Sequence, residues 1–105
     1  MDTIRILLEY GTYPLWLLDD EGLTIDTALP DEWADDEELD QLLTKVMDYY
    51  SGLFVDTKTE FTYVGFKDDA SKQAFIKLVQ EAVNQVVIKN NGKYKIINDI
   101  KFENL

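Results

Sequence analysis

Histidine and cysteine are both missing from this sequence of 105 residues, and their absence closes several kinds of chemistry at once. A Ser-His or Cys-His nucleophile, a histidine general base and the usual zinc ligand sets cannot be built. A chain without cysteine has no disulfide to keep, which fits a reducing compartment. The five glycines are scattered, so neither Gly-x-x-x-x-Gly-Lys nor Gly-x-Gly-x-x-Gly occurs and no loop is composed to cradle a phosphate. Prolines number only two and hydrophobic residues make up 46%, the composition of a chain that buries a core. No apolar run approaches the roughly 18 residues of a spanning helix. The opening MDTIRILLEY lacks the basic region and small-residue cleavage site of a signal peptide. The expectation is one compact cytoplasmic domain over residues 1–105, in no contact with membrane.

Basic residues are the other shortage: 10 against 21 acidic ones, for a net charge of −11. The excess is local. Residues 19–60 hold fourteen acids and two bases, whereas residues 67–105 hold five acids and seven bases. Those later bases are interleaved with acids and give no nucleic-acid footprint. A negative field of this kind repels nucleic acid and anionic membranes and steers a basic partner toward the surface it comes from. The plainer reading is that the charge serves solubility.

What the sequence does have is organised around Pro30 to Tyr50, PDEWADDEELDQLLTKVMDYY. Leu39, Leu42, Leu43, Val46, Met47 and Tyr50 recur at helical spacing, so one face of a helix is buried. Its other side carries Glu37, Asp40, Gln41, Thr44 and Asp48, and the approach adds Asp31, Glu32, Asp35, Asp36 and Glu38. Asp35 is the expected N-cap, with Glu38 three residues on completing a capping box. Starting the helix is therefore reason enough for Asp35, Asp36 and Glu38, but it leaves Asp40, Asp48, Asp19, Asp20 and Glu21 unexplained.

Around this stretch the chain alternates in the manner of strands. Ile4, Ile6 and Leu8 mark the first, and Tyr13 to Leu18 the second, with Pro14 near its start. Asp19-Asp20-Glu21-Gly22 makes a turn and Leu23 to Thr27 a third strand. The turn lacks the alternating oxygen ligands of a calcium loop, and no metal site is expected. After the helix, which ends near Ser51-Gly52 with Gly52 able to turn left-handed, Leu53-Phe54-Val55 reads as a buried connection. Residues 60–66 read as a fourth strand. A second helix is capped by Asp68 or Asp69, carries an apolar stripe from Phe75 to Val87 and stops at Asn90-Asn91-Gly92. A fifth strand covers residues 93–97. The order βββαβαβ gives an α+β domain, mainly one antiparallel sheet with two helices packed on one face; the last strand is free to join parallel through a crossover.

Phe61, Tyr63, Phe66 and Phe75 fall in elements that need core. Trp33, in the acidic turn, and Tyr49, beside Asp48, are either lids on the core or exposed anchors of the kind that interfaces favour. The candidate partner-binding residues are accordingly Asp19, Asp20, Glu21, Asp31, Glu32, Trp33, Asp36, Glu37, Asp40, Asp48 and Tyr49. No catalytic set, cofactor or metal is expected.

A small, acidic, cysteine-free α+β chain, with strands running into YPLWLLDDEGLTIDTALPDEW and then an acidic helix, resembles the immunity proteins that bacteria encode beside polymorphic or contact-dependent toxins. The resemblance implies a non-enzymatic protein that binds and blocks a cognate toxin domain, often a basic nuclease, with an acidic surface that occludes the active site. Two other functions fit the same composition: an inhibitor that mimics nucleic acid through carboxylates at phosphate-like spacing, and an acidic adaptor domain.

Overall fold

Ile4 and Ile6 are fully buried while Thr3 and Arg5 between and beside them are not, so the first strand, β1 (Thr3–Ile6), turns one face inward. The structure, a computed structural model, describes residues 3–105. Strand β2 (Leu15–Leu18) pairs antiparallel with β1, Ile6 opposite Leu15 and Ile4 opposite Leu17. Pro14 stands just before β2, outside the ladder, and its carbonyl accepts from the Leu7 N–H at 3.1 Å. Strand β3 (Thr24–Thr27) pairs antiparallel with β2 across the Asp19–Leu23 turn, with a register shift at Leu17/Leu18. Gly22 sits at φ 83° in that turn, a left-handed conformation that glycine adopts without strain.

A short 3-10 turn at Asp31–Trp33 leads to helix α1 (Glu37–Ser51). Strands β4 (Phe54–Asp56) and β5 (Phe61–Tyr63) follow, then helix α2 (Asp69–Asn90), strand β6 (Lys95–Asn98) and a final 3-10 turn at Phe102–Asn104. The larger sheet runs β3-β2-β1-β6, with β6 parallel to β1 and the rest antiparallel. Ile4, Ile6 and Leu15 of this sheet form one core with Leu39, Leu43 and Val46 of α1 and Phe75, Val79, Ala82 and Val86 of α2.

The α+β class is as expected, but the order is βββαββαβ. Phe54 and Val55, read from sequence as part of a buried connection, form a strand together with Asp56. It pairs antiparallel with β5 as a separate two-stranded sheet, Phe54 opposite Tyr63 and Asp56 opposite Phe61. Two β-favouring runs flanking a short polar turn suffice for a hairpin, and here the Thr57 N–H donates to the Glu60 carbonyl at 2.7 Å to close it. The expected fourth strand shrinks to three residues, and the burial expected of Phe61 and Tyr63 fails, for both are exposed. Val87, assigned to the buried stripe of α2, is likewise 50% exposed. Gly52 is right-handed, φ −67°, and ends α1 by donating to the Asp48 carbonyl at 3.0 Å. A Cβ there would lie 3.4 Å from the Asp48 and Tyr49 carbonyl oxygens, close to ordinary contact, so neither backbone conformation nor space demands glycine at this position.

The cap of α1 also moves by one residue. Asp36, and not Asp35, is the N-cap, its carboxylate accepting from the Leu39 N–H at 3.1 Å. Trp33 dictates this: its ring is buried and its carbonyl accepts from the Asp36 N–H at 3.0 Å. The turn therefore takes up Asp35 before helical geometry begins. Leu39 then occupies the third helical position, so Glu38 cannot close a capping box. Asp36 further pairs with Lys89 of α2 at 3.2 Å, tying the start of one helix to the end of the other.

These contacts, the Leu39 N–H first and Lys89 second, hold the Asp36 carboxyl below its ordinary pKa. A carboxyl with a depressed folded-state pKa stabilises the fold above its unfolded value and loses that contribution as pH falls through the folded one. Asp36→Ala is expected to lower the melting temperature by about 4–8 °C at pH 7, and Asp35→Ala to leave it nearly unchanged. The difference between wild type and Asp36→Ala should shrink once pH drops below the ordinary carboxylate range. Thermal unfolding followed by circular dichroism at pH 7 and pH 3 checks both points; a larger effect of Asp35→Ala than of Asp36→Ala at pH 7 would return the cap to Asp35.

Candidate protein interface

Each acidic residue singled out by the sequence has a definite local fate, and several are occupied within the chain. Asp19 closes the β2–β3 turn, one carboxylate oxygen accepting from the Glu21 N–H at 2.9 Å and the Leu23 N–H at 3.0 Å. Asp20 and Glu21 are exposed at the tip of that turn. Glu32 pairs with Lys93 at 2.8 Å and accepts from the Tyr94 hydroxyl. Lys93 is the main cause of the lowered Glu32 pKa. Asp40 accepts from the Tyr13 hydroxyl at 2.9 Å. Burial first, and this bond second, push the Tyr13 hydroxyl well above its ordinary pKa. Glu32, Asp36 and Asp40 therefore brace the fold as well as charging its surface.

Asp31, Glu37 and Asp48 are different. All three are exposed, and among the described residues none of them joins an ion pair. Glu37, Gln41, Thr44 and Asp48 follow one another at i, i+4, i+7 and i+11 along α1, one stripe of a helix of period 3.6. The opposite stripe, Leu39, Leu43 and Val46, is the buried one. The geometry of the helix thus places unneutralised carboxylates outward because the core claims the other side.

Four bases outside α1 are committed within the chain, while Lys45 of α1 itself is exposed and joins no ion pair among the described residues. Arg5 pairs with Asp99 at 2.5 Å, Lys89 with Asp36, Lys93 with Glu32, and the Lys72 ammonium donates to the Leu105 carbonyl at 3.2 Å. Between α1 and α2 runs an open groove of about 420 Å³, lined in part by Leu39, Leu42, Lys45, Gln85 and Ile88. Asp36 and Lys89 meet within it. Among the described residues no group of three or more acidic side chains is arranged to hold a metal ion.

The two aromatic candidates part company. Trp33 is only 4% exposed and meets Tyr94 edge-on, ring centroids 5.7 Å apart; it is a lid on the core and not an exposed anchor. Tyr49 keeps 37% of its surface open. Its ring lies 5.1 Å from that of Phe75, and its hydroxyl donates to the Ser71 carbonyl at 3.3 Å, which fixes it in place with one edge toward solvent. Tyr49 directly follows Asp48, so an aromatic edge borders the acidic stripe.

The sequence reading missed a second surface, the β4–β5 hairpin. Tyr10, Phe54, Phe61 and Tyr63 form a linked set of rings with centroid separations of 5.0–5.3 Å. The signal was present in the alternation Phe54-x-Asp56 and Phe61-x-Tyr63, but aromatic residues in strands were credited to the core. A two-stranded sheet has a face that no third layer must cover.

Among the described residues no helix is long and apolar enough to cross a membrane. Comparison with family models and with curated proteins finds nothing that matches this chain.

Proposed function

We propose that this protein is a non-enzymatic, cytoplasmic binding protein of the immunity kind, which neutralises a cognate toxin domain by covering a basic surface with the outer stripe of α1. The observation that carries the reading is that Glu37 and Asp48, on the side of α1 that the fold does not need, and Asp31, in the turn that leads into it, stand exposed outside the ion pairs of the described residues. Charge of one sign held on a rigid helix is suited to steering an oppositely charged protein and to fixing its register. Tyr49 at the edge of the stripe supplies apolar contact of the type that gives an interface its affinity. A nuclease is the natural target, since an active site that attracts phosphates must present Lys and Arg. Blocking it requires no chemistry from the inhibitor, only a complementary surface of about 800 Å² on each side.

Co-expression tests the reading. Cells making the toxin-type product of the neighbouring gene should grow, with intact RNA and DNA, when this protein is present. They should not be protected from unrelated toxins of similar charge, because shape decides specificity once steering has brought the partners together. Protection against every basic nuclease tried would favour mimicry of nucleic acid, and no binding to the neighbour would leave an acidic adaptor.

A further inference from the structure

The β4–β5 hairpin carries a group of side chains that the acidic stripe does not account for. Side chains opposite one another across a strand pair, and those two apart along a strand, share a face. The pairings Phe54 with Tyr63 and Asp56 with Phe61 therefore put Phe54, Asp56, Phe61 and Tyr63 on one face. Tyr10 closes one side of it, edge-on to Phe54 at 5.3 Å and to Phe61 at 5.0 Å, and its hydroxyl donates to Asp56 Oδ2 at 3.0 Å. Phe54 and Phe61 stack at 5.3 Å with their planes 16° apart. Phe61 nonetheless stays 58% exposed, and Tyr10 and Tyr63 are each 38% exposed. A carboxylate thus sits among aromatic faces that remain open to solvent.

We propose that this face receives an arginine side chain of the protein partner, its guanidinium lying on the Phe61 ring and donating to the Asp56 carboxylate. The proposal rests on the reading that the partner is a basic protein, but it places a contact of different chemistry on a different element. Aromatic faces attract cations through their quadrupole. A guanidinium is planar and has five donors in a fork, so it stacks on a ring and bonds a carboxylate at once. A quaternary ammonium would bring the carboxylate no donor beyond Tyr10, and an aliphatic side chain would desolvate its remaining acceptor sites unpaired. Tyr10 uses one acceptor site of Asp56, and a carboxylate offers about four. Among the described residues Lys58, exposed in the adjoining turn, forms no ion pair with it. Nucleic acid is repelled by Asp56, Glu60 and the net charge of −11, and a second copy of this chain would bring the same carboxylates face to face.

Titration of the isotopically labelled protein with a blocked (Gly-Arg)₃ peptide, and separately with (Gly-Lys)₃, followed by NMR, tests the assignment. The arginine peptide should shift the resonances of Tyr10, Asp56, Phe61 and Tyr63, with the lysine peptide doing so less strongly at equal charge. Phe61→Leu and Asp56→Asn, each with the wild-type spectral dispersion that reports an intact fold, should weaken binding at the hairpin by about two- to fivefold. Neither should alter the shifts along α1. Shifts confined to Glu37, Gln41 and Asp48 would overturn the hairpin site and leave the acidic stripe standing. Hairpin shifts with none along α1 would do the reverse. Equal responses to the two peptides, or hairpin shifts that depend on protein concentration without peptide, would also overturn the arginine assignment.

Discussion

Replacing Phe75 with alanine is expected to cost about 3–5 kcal/mol of stability, the range for truncating a buried aromatic residue in a packed core. A domain of this size has about 5–15 kcal/mol in total, so the variant should unfold at a much lower urea concentration. Phe75 is fully buried in α2, with the ring of Tyr49 from α1 5.1 Å away and that of Phe66 5.7 Å away. Removing it empties the place where the two helices and the segment after β5 meet. Neighbouring rings are held by other contacts, such as the bond from Tyr49 to the Ser71 carbonyl, and cannot simply collapse into the space. Val46→Ala, with fewer atoms lost, should cost less. Glu37→Ala and Asp48→Ala should be within error of wild type, because the fold makes no use of either carboxylate among the described contacts. Urea titration at neutral pH gives all four values. If the acidic substitutions destabilised as much as Phe75→Ala, the outer stripe of α1 would be structural and the interface misplaced.

The helices were legible because each carries its evidence locally. The spacing of Leu39, Leu43 and Val46, and of Phe75, Val79, Ala82 and Val86, depends only on the helical period, and all seven are buried. Asp68 caps α2 as one of two expected candidates, accepting from the Ser71 N–H at 2.8 Å. The cap of α1 was misplaced by one residue because it is fixed by the burial of Trp33, a tertiary fact. Strand partnership was legible where short turns join neighbours, as in the antiparallel run of β1, β2 and β3, but not beyond it, for the same reason. Nothing in KYKII indicates that β6 will pair with β1, about ninety residues earlier.

The candidate site was half legible. Local sequence gives the charge of a side chain and its position on a helix, and so placed Glu37 and Asp48 on the exposed side of α1. It does not give the partner that neutralises a charge, and so could not separate these from Glu32, Asp36 and Asp40, which Lys93, Lys89 and Tyr13 engage. The aromatic hairpin was read as core because β-propensity reports a residue's fitness for a half-buried pleated surface, not which half is covered.

The claim at the centre of this account is that the outer stripe of α1 captures a basic partner. Stopped-flow association with the neighbouring toxin domain measures it most directly. Reversal of Asp31, Glu37 and Asp48 to lysine together is predicted to slow association at least about tenfold at low salt, with the melting temperature near that of wild type. Raising salt from about 0.05 to 0.5 M should slow the wild-type protein and narrow the gap between the two, since the screening length shrinks to a few ångströms. A wild-type rate indifferent to salt and to the three reversals would contradict the claim.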